Sequence, residues 1–402
     1  MVDVLHLSFS PPFAPGSYNR LVGVQLERLS GFEQAVVSYW DGPVPEAWAK
    51  RRCVLLAGAR DLPGWRRLAS WLPARLRAGL FHGVGDPDRL TWLWLIERTL
   101  PRLKPRLIVC YDDYKIGPLL RPMVHWPCRL IFSQHGLSYF GAEQRARQLY
   151  RLACFDVICT LTRASYRSDQ DRLGCYEPLV AVIPNGIDTA RFRPASADEK
   201  LALRAKWGLP ADKQVVLCLG RLVPKKGAHV IVGSWRQVLA KHPGAFLWIV
   251  GGGDPWYRHY LRQLAGREAA GGSIHFQGGV DAAVSHECYQ AADLYVFPSL
   301  WVEGMPLSLI EAMSCGLATA ASDLIVTREL YLAKEAEFVP DPNIQDAFVA
   351  PMLRLLDDPR ARAEMGRLAR QAVCARYSEE LWLVRLEKLY RSQLELAPHS
   401  QA

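Results

Sequence analysis

Residues 297–323 read FPSLWVEGMPLSLIEAMSCGLATAASD. The apolar run LYVFPS that leads into them stops at Pro298, the kind of stop that closes a buried strand. A polar turn with Glu303 and Gly304 follows. Pro306 then sits where a first-turn proline is tolerated, ahead of the apolar-periodic LSLIEAMSC. Gly316 stands where a helix-closing glycine stands, and a second short run, ATAAS, comes after it. The stretch predicts strand, turn, helix, strand. It puts one carboxylate, Glu303, on the turn and another, Glu311, inside an apolar helix. A helix N-terminus and its turn offer N–H groups and the positive dipole end, which suits an anion. A carboxylate in an apolar helix needs a partner or a ligand, and an internal cap or salt bridge is the plain alternative.

Working outward, the same alternation fills the chain. Val2 to Phe9 reads as a strand, a loop SPPFAPGS follows, and Tyr18 to Leu29 has helical periodicity. Strand-like runs recur at 34–39, 53–58, 106–112, 129–135, 156–162 and 179–184, mostly separated by helix-like segments. After IPNGID (183–188) and the polar segment TARFRPASADEK the pattern restarts with VVLCLG, AFLWIVGGG, IHFQGGV and LYVFPS. Near-continuous apolar strands joined through helices indicate parallel sheets buried on both faces. The fold class is therefore α/β, with two Rossmann-like domains whose sheets face a cleft. A length of 402 residues exceeds the size at which one core keeps growing. The expected division is 1–185, 186–377 and a last amphipathic helix within 378–402. Trp382, Leu383, Leu386 and Leu389 recur there at helical spacing, and the helix is expected to return to the N-terminal domain.

Composition narrows the classes. Half of the residues are hydrophobic and 22% are charged, as in an ordinary globular protein. No apolar run reaches the ~20 residues of a membrane span. The start MVDVLHLSFS has no basic n-region or small-residue cleavage site. Ten cysteines lack CxxC pairs, and Cys110, Cys154, Cys159 and Cys218 lie in strand-like runs. Buried free thiols in a reducing compartment fit better than disulfides or zinc. The expectation is a cytoplasmic protein. The net charge of +9 favours anionic partners, and no nucleic-acid motif is present. The segment 65–80 sets Trp65, Leu68, Trp71, Leu72, Leu76 and Leu80 beside Arg66, Arg67, Arg75 and Arg77. That suits the headgroup level of an anionic bilayer at the inner membrane face. An ordinary core helix with a solvated basic face is the other reading.

The chemistry falls at strand ends. The loop after the first strand holds one glycine, Gly16, and lacks G-x-G-x-x-G, so a nicotinamide or flavin reading loses its main support. After VVLCLG come Arg221, Lys225, Lys226 and Gly227 at the opening of a helix. Cations beside a helix N-terminus suit a diphosphate, Arg as a fork and Lys as a point charge. Gly251 to Gly253 let a ligand approach the backbone. The Glu303 turn completes the set, at the carboxyl ends where such sheets bind ligands.

IPNGID, GRLVPKKG, IVGGG, FQGGV and the E-x7-E of EGMPLSLIE, in this order and spacing, resemble the retaining glycosyltransferases of family 4, with the GT-B fold. The resemblance covers most of 183–323, while the first half is similar mainly in layout. It implies that Arg221 and Lys226 hold the diphosphate of a nucleotide-sugar donor. Glu311 would bind the ribose hydroxyls and Glu303 would face the donor sugar. Gly304, Met305, Pro306 and Leu307 would lie beside phosphates and sugar, with Gly279 and Val280 in the wall of the base pocket. His135 in SQHGLSY resembles the family's histidine near the reacting carbon. Gly16 matches its N-terminal glycine loop, although only PGS stands where the family has two adjacent glycines. A second departure is SDLIVTRE, where the family has a Gly-Gly pair before the glutamate at the position of Glu329.

The function so implied is transfer of a sugar with retention to a glycan or lipid-linked acceptor, in polysaccharide or glycolipid synthesis. Neither a metal nor another cofactor is expected. A glycoside hydrolase is disfavoured, because Glu303 and Glu311 stand about 12 Å apart along a helix at 1.5 Å per residue, too far to flank one bond. A non-hydrolysing nucleotide-sugar epimerase and a non-catalytic nucleotide-sugar-binding protein are the remaining alternatives.

Overall fold

The apolar runs become parallel strands because most are buried on both faces and must be joined to the next through a crossover. A computed structural model describes residues 2–14, 17–51, 53–58, 87–135, 145–165, 167, 179–267, 272–301, 303–331 and 335–397. The chain divides into one unit of Met1–Ile183 with Leu383–Ala402, and a second of Pro184–Trp382.

The first unit is built on β1 (Val4–Leu7), β2 (Gln34–Tyr39), β3 (Val54–Ala57), β4 (Leu107–Tyr111), β5 (Arg129–Gln134), β6 (Val157–Thr160) and β7 (Leu179–Val182). They form a seven-stranded sheet in the order β3-β2-β1-β4-β5-β6-β7, parallel throughout. Its core gathers Leu5, Leu7, Val37, Trp92, Ile96, Ile108 and Phe132. Trp92 buries its ring and still donates its indole N–H to Val37 O at 3.0 Å, so the burial leaves no orphan donor.

A buried polar group crosses this core. Gln34 spends its amide N–H groups on Gln25 O and Leu29 O, so its Oε1 is left to accept from His6 Nε2 at 2.9 Å. His6 Nδ1 then accepts from the Tyr111 hydroxyl at 2.9 Å. Tyr390, on the last helix, donates to Gln25 Oε1 at 2.7 Å. Burial pushes the His6 imidazole down to about 4, against the Gln34 bond that favours its charged form. The last helix, Glu379–Leu396, is further held by Arg129 on Gln393 Oε1 and by Arg106 on Leu394 O. Its Trp382, Leu383, Leu386 and Leu389 are all buried, as their spacing predicts.

The second unit is built on β8 (Gln214–Leu219), β9 (Ala245–Val250), β10 (Ile274–Gly278), β11 (Leu294–Phe297), β12 (Ala318–Ser322) and β13 (Glu337–Val339). The sheet order is β10-β9-β8-β11-β12-β13, again all parallel. The order reverses direction between β8 and β11, the switch point at which open α/β sheets bind ligands. Trp235, Ile231, Leu247, Ile249, Tyr257 and Phe348 pack its core.

Three local readings change. The motif stretch folds as strand, turn, helix, strand, but Pro306 is the residue before the helix Leu307–Ser314 rather than its first residue. Gly316 does close it, at φ 72°. The polar segment ending ADEK is partly helical: Ser196 and Glu199 form a reciprocal capping box that starts the helix Ala197–Lys206, a pattern present in the sequence as S-x-x-E. Cys154 lies in a turn after the helix Arg145–Leu152, not in a strand, and is half-buried, while Cys110, Cys159 and Cys218 are buried free thiols. No helix among the described residues is long and apolar enough to cross a membrane.

Candidate active site

At the switch point, the backbone of four loops is stitched together. Gly220 N–H donates to Val250 O and Leu222 N–H to Gly252 O; Gly251 N–H donates to Gly278 O and Leu300 N–H to Lys225 O. The loop after β8 makes a short turn over Pro224–Lys226 and reaches Gly227 at φ 72°, from which the helix Ala228–Lys241 starts. A Cβ on Gly227 would lie 1.8 Å from Pro298 O. Only glycine lets the β8 loop sit this close to the β11 loop, and only glycine takes this φ without strain.

That proximity brings two predicted residues together. Lys226 Nζ donates to Glu303 Oε1 at 2.5 Å, although they are 77 residues apart in the chain. Ser299 Oγ donates to the same oxygen at 2.7 Å, and the Lys226 ammonium lies 6.0 Å from the centre of the Phe297 ring. The sequence separates these two side chains into a phosphate role and a sugar role; the fold joins them in one ion pair. Arg221 is exposed in the turn between Gly220 and Leu222.

Beyond Glu303, Met305 and Pro306 are buried and Leu307 opens the helix, which has no side-chain cap at its N-terminus. Met305 Sδ accepts the Asn185 N–H at 3.2 Å, fixing the turn before that N-terminus. Glu311 sits one turn in, and Tyr289 Oη donates to its Oε2 at 2.7 Å. Burial first, and then the Glu311 charge, hold the Tyr289 phenol well above its ordinary range, so it stays a neutral donor. Gly279 is exposed and Val280 half-buried after β10, with Gly279 against the backbone of Gly252.

In the first unit, His135 directly follows β5. Its backbone N–H donates to Asp112 Oδ1 at 2.6 Å and its Nε2 meets Ser133 Oγ at 3.2 Å. Asp112 sits at φ 54° after β4, a left-handed conformation rare for a side-chain-bearing residue and frequent at functional turns. Burial draws the imidazole of His135 below its ordinary value, opposed by the Asp112 charge; it is a neutral ring at pH 7. Gly16 and the 65–80 segment lie outside the described residues.

Sequence reasoning missed Tyr289, Ser299 and Asp112. Ser299 was in view, two residues past the end of β11, and the pair Asp112-Asp113 after a strand was a legible turn signal. Nothing local marked Tyr289.

This geometry can hold an anion. A cation fixed by a carboxylate, an uncapped helix N-terminus and glycine loops that admit a ligand to the backbone surround one switch point. Residues 199–372 match the family model described as glycosyl transferases group 1. A GDP-mannose-dependent alpha-(1-6)-phosphatidylinositol monomannoside mannosyltransferase of Mycolicibacterium smegmatis is 32% identical over 329 residues, covering 76% of this chain and 82% of that protein. The chain belongs to the group 1 glycosyl transferases. A further member of this family, the GDP-mannose-dependent monoacylated alpha-(1-6)-phosphatidylinositol monomannoside mannosyltransferase of Corynebacterium glutamicum, is 31% identical over 59% of the chain, which spans 62% of that relative. Among solved structures, Anabaena HepE in complex with UDP and glucose superposes with a TM-score of 0.78 at 18% identity, over 98% of this chain and all of that one. The sucrose-phosphate synthase of Thermosynechococcus elongatus gives 0.77 at 22% identity, over 98% and 99%. Both carry the glycosyltransferase fold of two parallel-sheet α/β domains, which this group 1 glycosyl transferase shares.

Proposed function

We propose that the chain transfers a sugar from a nucleoside-diphosphate donor to a lipid-linked acceptor, with retention at the anomeric carbon as in family 4. The observation that carries this is the Lys226–Glu303 pair beside an uncapped helix N-terminus at the β8/β11 switch point. Arg221 and Lys226 hold the diphosphate, Glu311 with its Tyr289 support takes the ribose hydroxyls, and Glu303 faces the donor sugar. Gly304 to Leu307 line phosphates and sugar, Gly279 and Val280 the base, and Gly16 is assigned to donor binding. A neutral His135 donates to a sugar hydroxyl near the reacting carbon.

The reaction balances without an enzymic nucleophile. The acceptor hydroxyl oxygen bonds to the anomeric carbon on the face from which the diphosphate leaves. The carbon–oxygen bond to phosphate breaks with its electron pair on that oxygen, which takes the hydroxyl proton. Cationic side chains stabilise the charge that grows on the leaving group, so we expect turnover without an added metal or other cofactor. The activities for which the two mannosyltransferase relatives are named support GDP-mannose as donor and a phosphatidylinositol-based glycolipid as acceptor. A lipid acceptor also fits attachment at the inner membrane face through Trp65 to Leu80, testable by flotation with anionic liposomes.

The deciding experiment incubates the full chain with GDP-mannose, or with UDP-sugars for comparison, and phosphatidylinositol or its monomannoside. Proton NMR of the product reads the anomeric configuration. An α-linked mannolipid, absent with Lys226→Ala or Glu311→Ala, supports the proposal. Donor epimerised without acceptor, or wild-type turnover in either variant, overturns it.

A further inference from the structure

Asp293 precedes β11 by one residue, so it lies at the end of the second unit's sheet opposite the loops of Lys226 and Glu303. On that side the unit holds a cavity of about 260 Å³, lined in part by Lys200, Tyr289, Gln290, Cys315 and Arg362. None of the sequence-predicted site residues lines it. The space is large enough for a compact solute.

Its charge is positive. Asp293 is the one carboxylate in the lining, and both its oxygens are engaged: Lys200 Nζ donates to Oδ1 at 2.6 Å, while Arg204 and the Val215 N–H donate to Oδ2. Two cations, Lys200 and Arg362, thus share the lining with one carboxylate, which is already paired to Lys200 and to the buried Arg204. Burial first, and also the nearby Arg204 and Arg362, lower the Lys200 ammonium below its usual range in spite of Asp293. Arg362 places Nη1 on Leu355 O and Leu356 O, which leaves the other edge of its fork for an acceptor. The first turn of the helix Pro359–Arg376 borders the cavity with its positive end, through Pro359 and Ala363. Its capping carboxylate, Asp358, is spent on the N–H groups of Arg360 and Ala361 and does not line the space.

We propose that this cavity is a second ligand site, taking inorganic phosphate or a small phosphomonoester between Lys200 and Arg362. The site also touches both supports of Glu311. Tyr289 is one of its lining residues, and its hydroxyl holds Glu311. Cys315 and Gly316, which close the helix that carries Glu311, line it as well. A ligand here therefore changes nucleotide affinity at the opposite end of the sheet. The binding claim stands alone, and only this coupling rests on the proposed function.

The test titrates the full chain with inorganic phosphate and with glycerol 3-phosphate by calorimetry, in wild type and in Lys226→Ala, which removes a cation of the donor site. Saturable binding is expected in both. Arg362→Gln should weaken it by about tenfold or more, the loss of one charge-assisted bond. Ala195→Trp, which fills the cavity without changing charge, should abolish it while circular dichroism stays native. Preference for glycerol 3-phosphate identifies a phosphomonoester site, and equal binding a phosphate site. No saturable binding to Lys226→Ala at about 10 mM, or full binding by folded Ala195→Trp, overturns the proposal. With the site filled, the GDP dissociation constant should shift by about threefold or more. An unchanged constant removes the coupling and leaves the site.

Discussion

Replacing Glu303 by Gln keeps the shape of the side chain and removes one negative charge. In the structure that charge is shared with Lys226 at 2.5 Å, with the two side chains 17% and 21% exposed. Exposed pairs are worth about 0.2–1 kcal/mol, and breaking a fully buried pair costs about 3–5 kcal/mol. This partly buried pair belongs between them, at about 1–2 kcal/mol. The Gln carbonyl can still accept from Lys226, so the ammonium stays in place, but an incoming diphosphate meets one anion fewer. GDP affinity should therefore rise by about fivefold to tenfold. Sugar transfer should fall by on the order of 10²-fold, because a carboxylate is lost where positive charge develops on the sugar. Lys226→Ala moves both quantities down, GDP affinity by about tenfold or more. In the double variant the Glu303 substitution acts on a carboxylate that no cation neutralises, so its gain should exceed that in wild type by about 1–2 kcal/mol. Calorimetry with GDP and turnover with GDP-mannose measure the whole cycle. The reasoning fails if Glu303→Gln loses GDP affinity as Lys226→Ala does, or if the double variant equals the sum of the singles within about 0.3 kcal/mol.

Other parts of the site give further expectations. Gly227→Ala forces a Cβ to 1.8 Å from Pro298 O at φ 72°. It should destabilise the second unit by at least about 2 kcal/mol in urea titration and remove GDP binding; a neutral effect would contradict the loop packing. Tyr289→Phe deletes the 2.7 Å bond to Glu311, so the GDP dissociation constant should rise by about threefold to tenfold while that of pyrophosphate stays put. His6 resists protonation in the folded chain, at about 4 against an ordinary 6.5. Below pH 6.5 the unfolded chain takes up a proton that the folded chain refuses. Stability is thus full above that pH and falls as the pH drops towards 4, by about 2 kcal/mol at pH 5. His6→Asn should flatten this part of the Tm profile between pH 6.5 and 4.5, and parallel profiles would count against the buried, neutral imidazole.

Much of this was legible in the sequence because it is local. Period, proline and glycine placed β11, the helix Leu307–Ser314 and β12 almost to the residue, since strand, helix and cap depend on neighbours in the chain. β13, three residues long at the sheet edge, was not legible: so short a strand exists only because β12 is there to pair with it. The cavity at Lys200 and Arg362 escaped for a similar reason, its lining being drawn from segments far apart in the chain.

By itself, then, the sequence determined two α/β units, the strand ends that hold the candidate site and the identity of its charged groups, all consequences of near-neighbour patterning. The tertiary structure decided which of those groups share a proton or a charge. Lys226 meets Glu303 because β8 and β11 are neighbours across the switch point and Gly227 lets their loops close. Tyr289 meets Glu311 because two helices of one unit pack together. Pairing energies depend on distances of a few ångströms between residues tens of positions apart, and only the folded chain sets those distances.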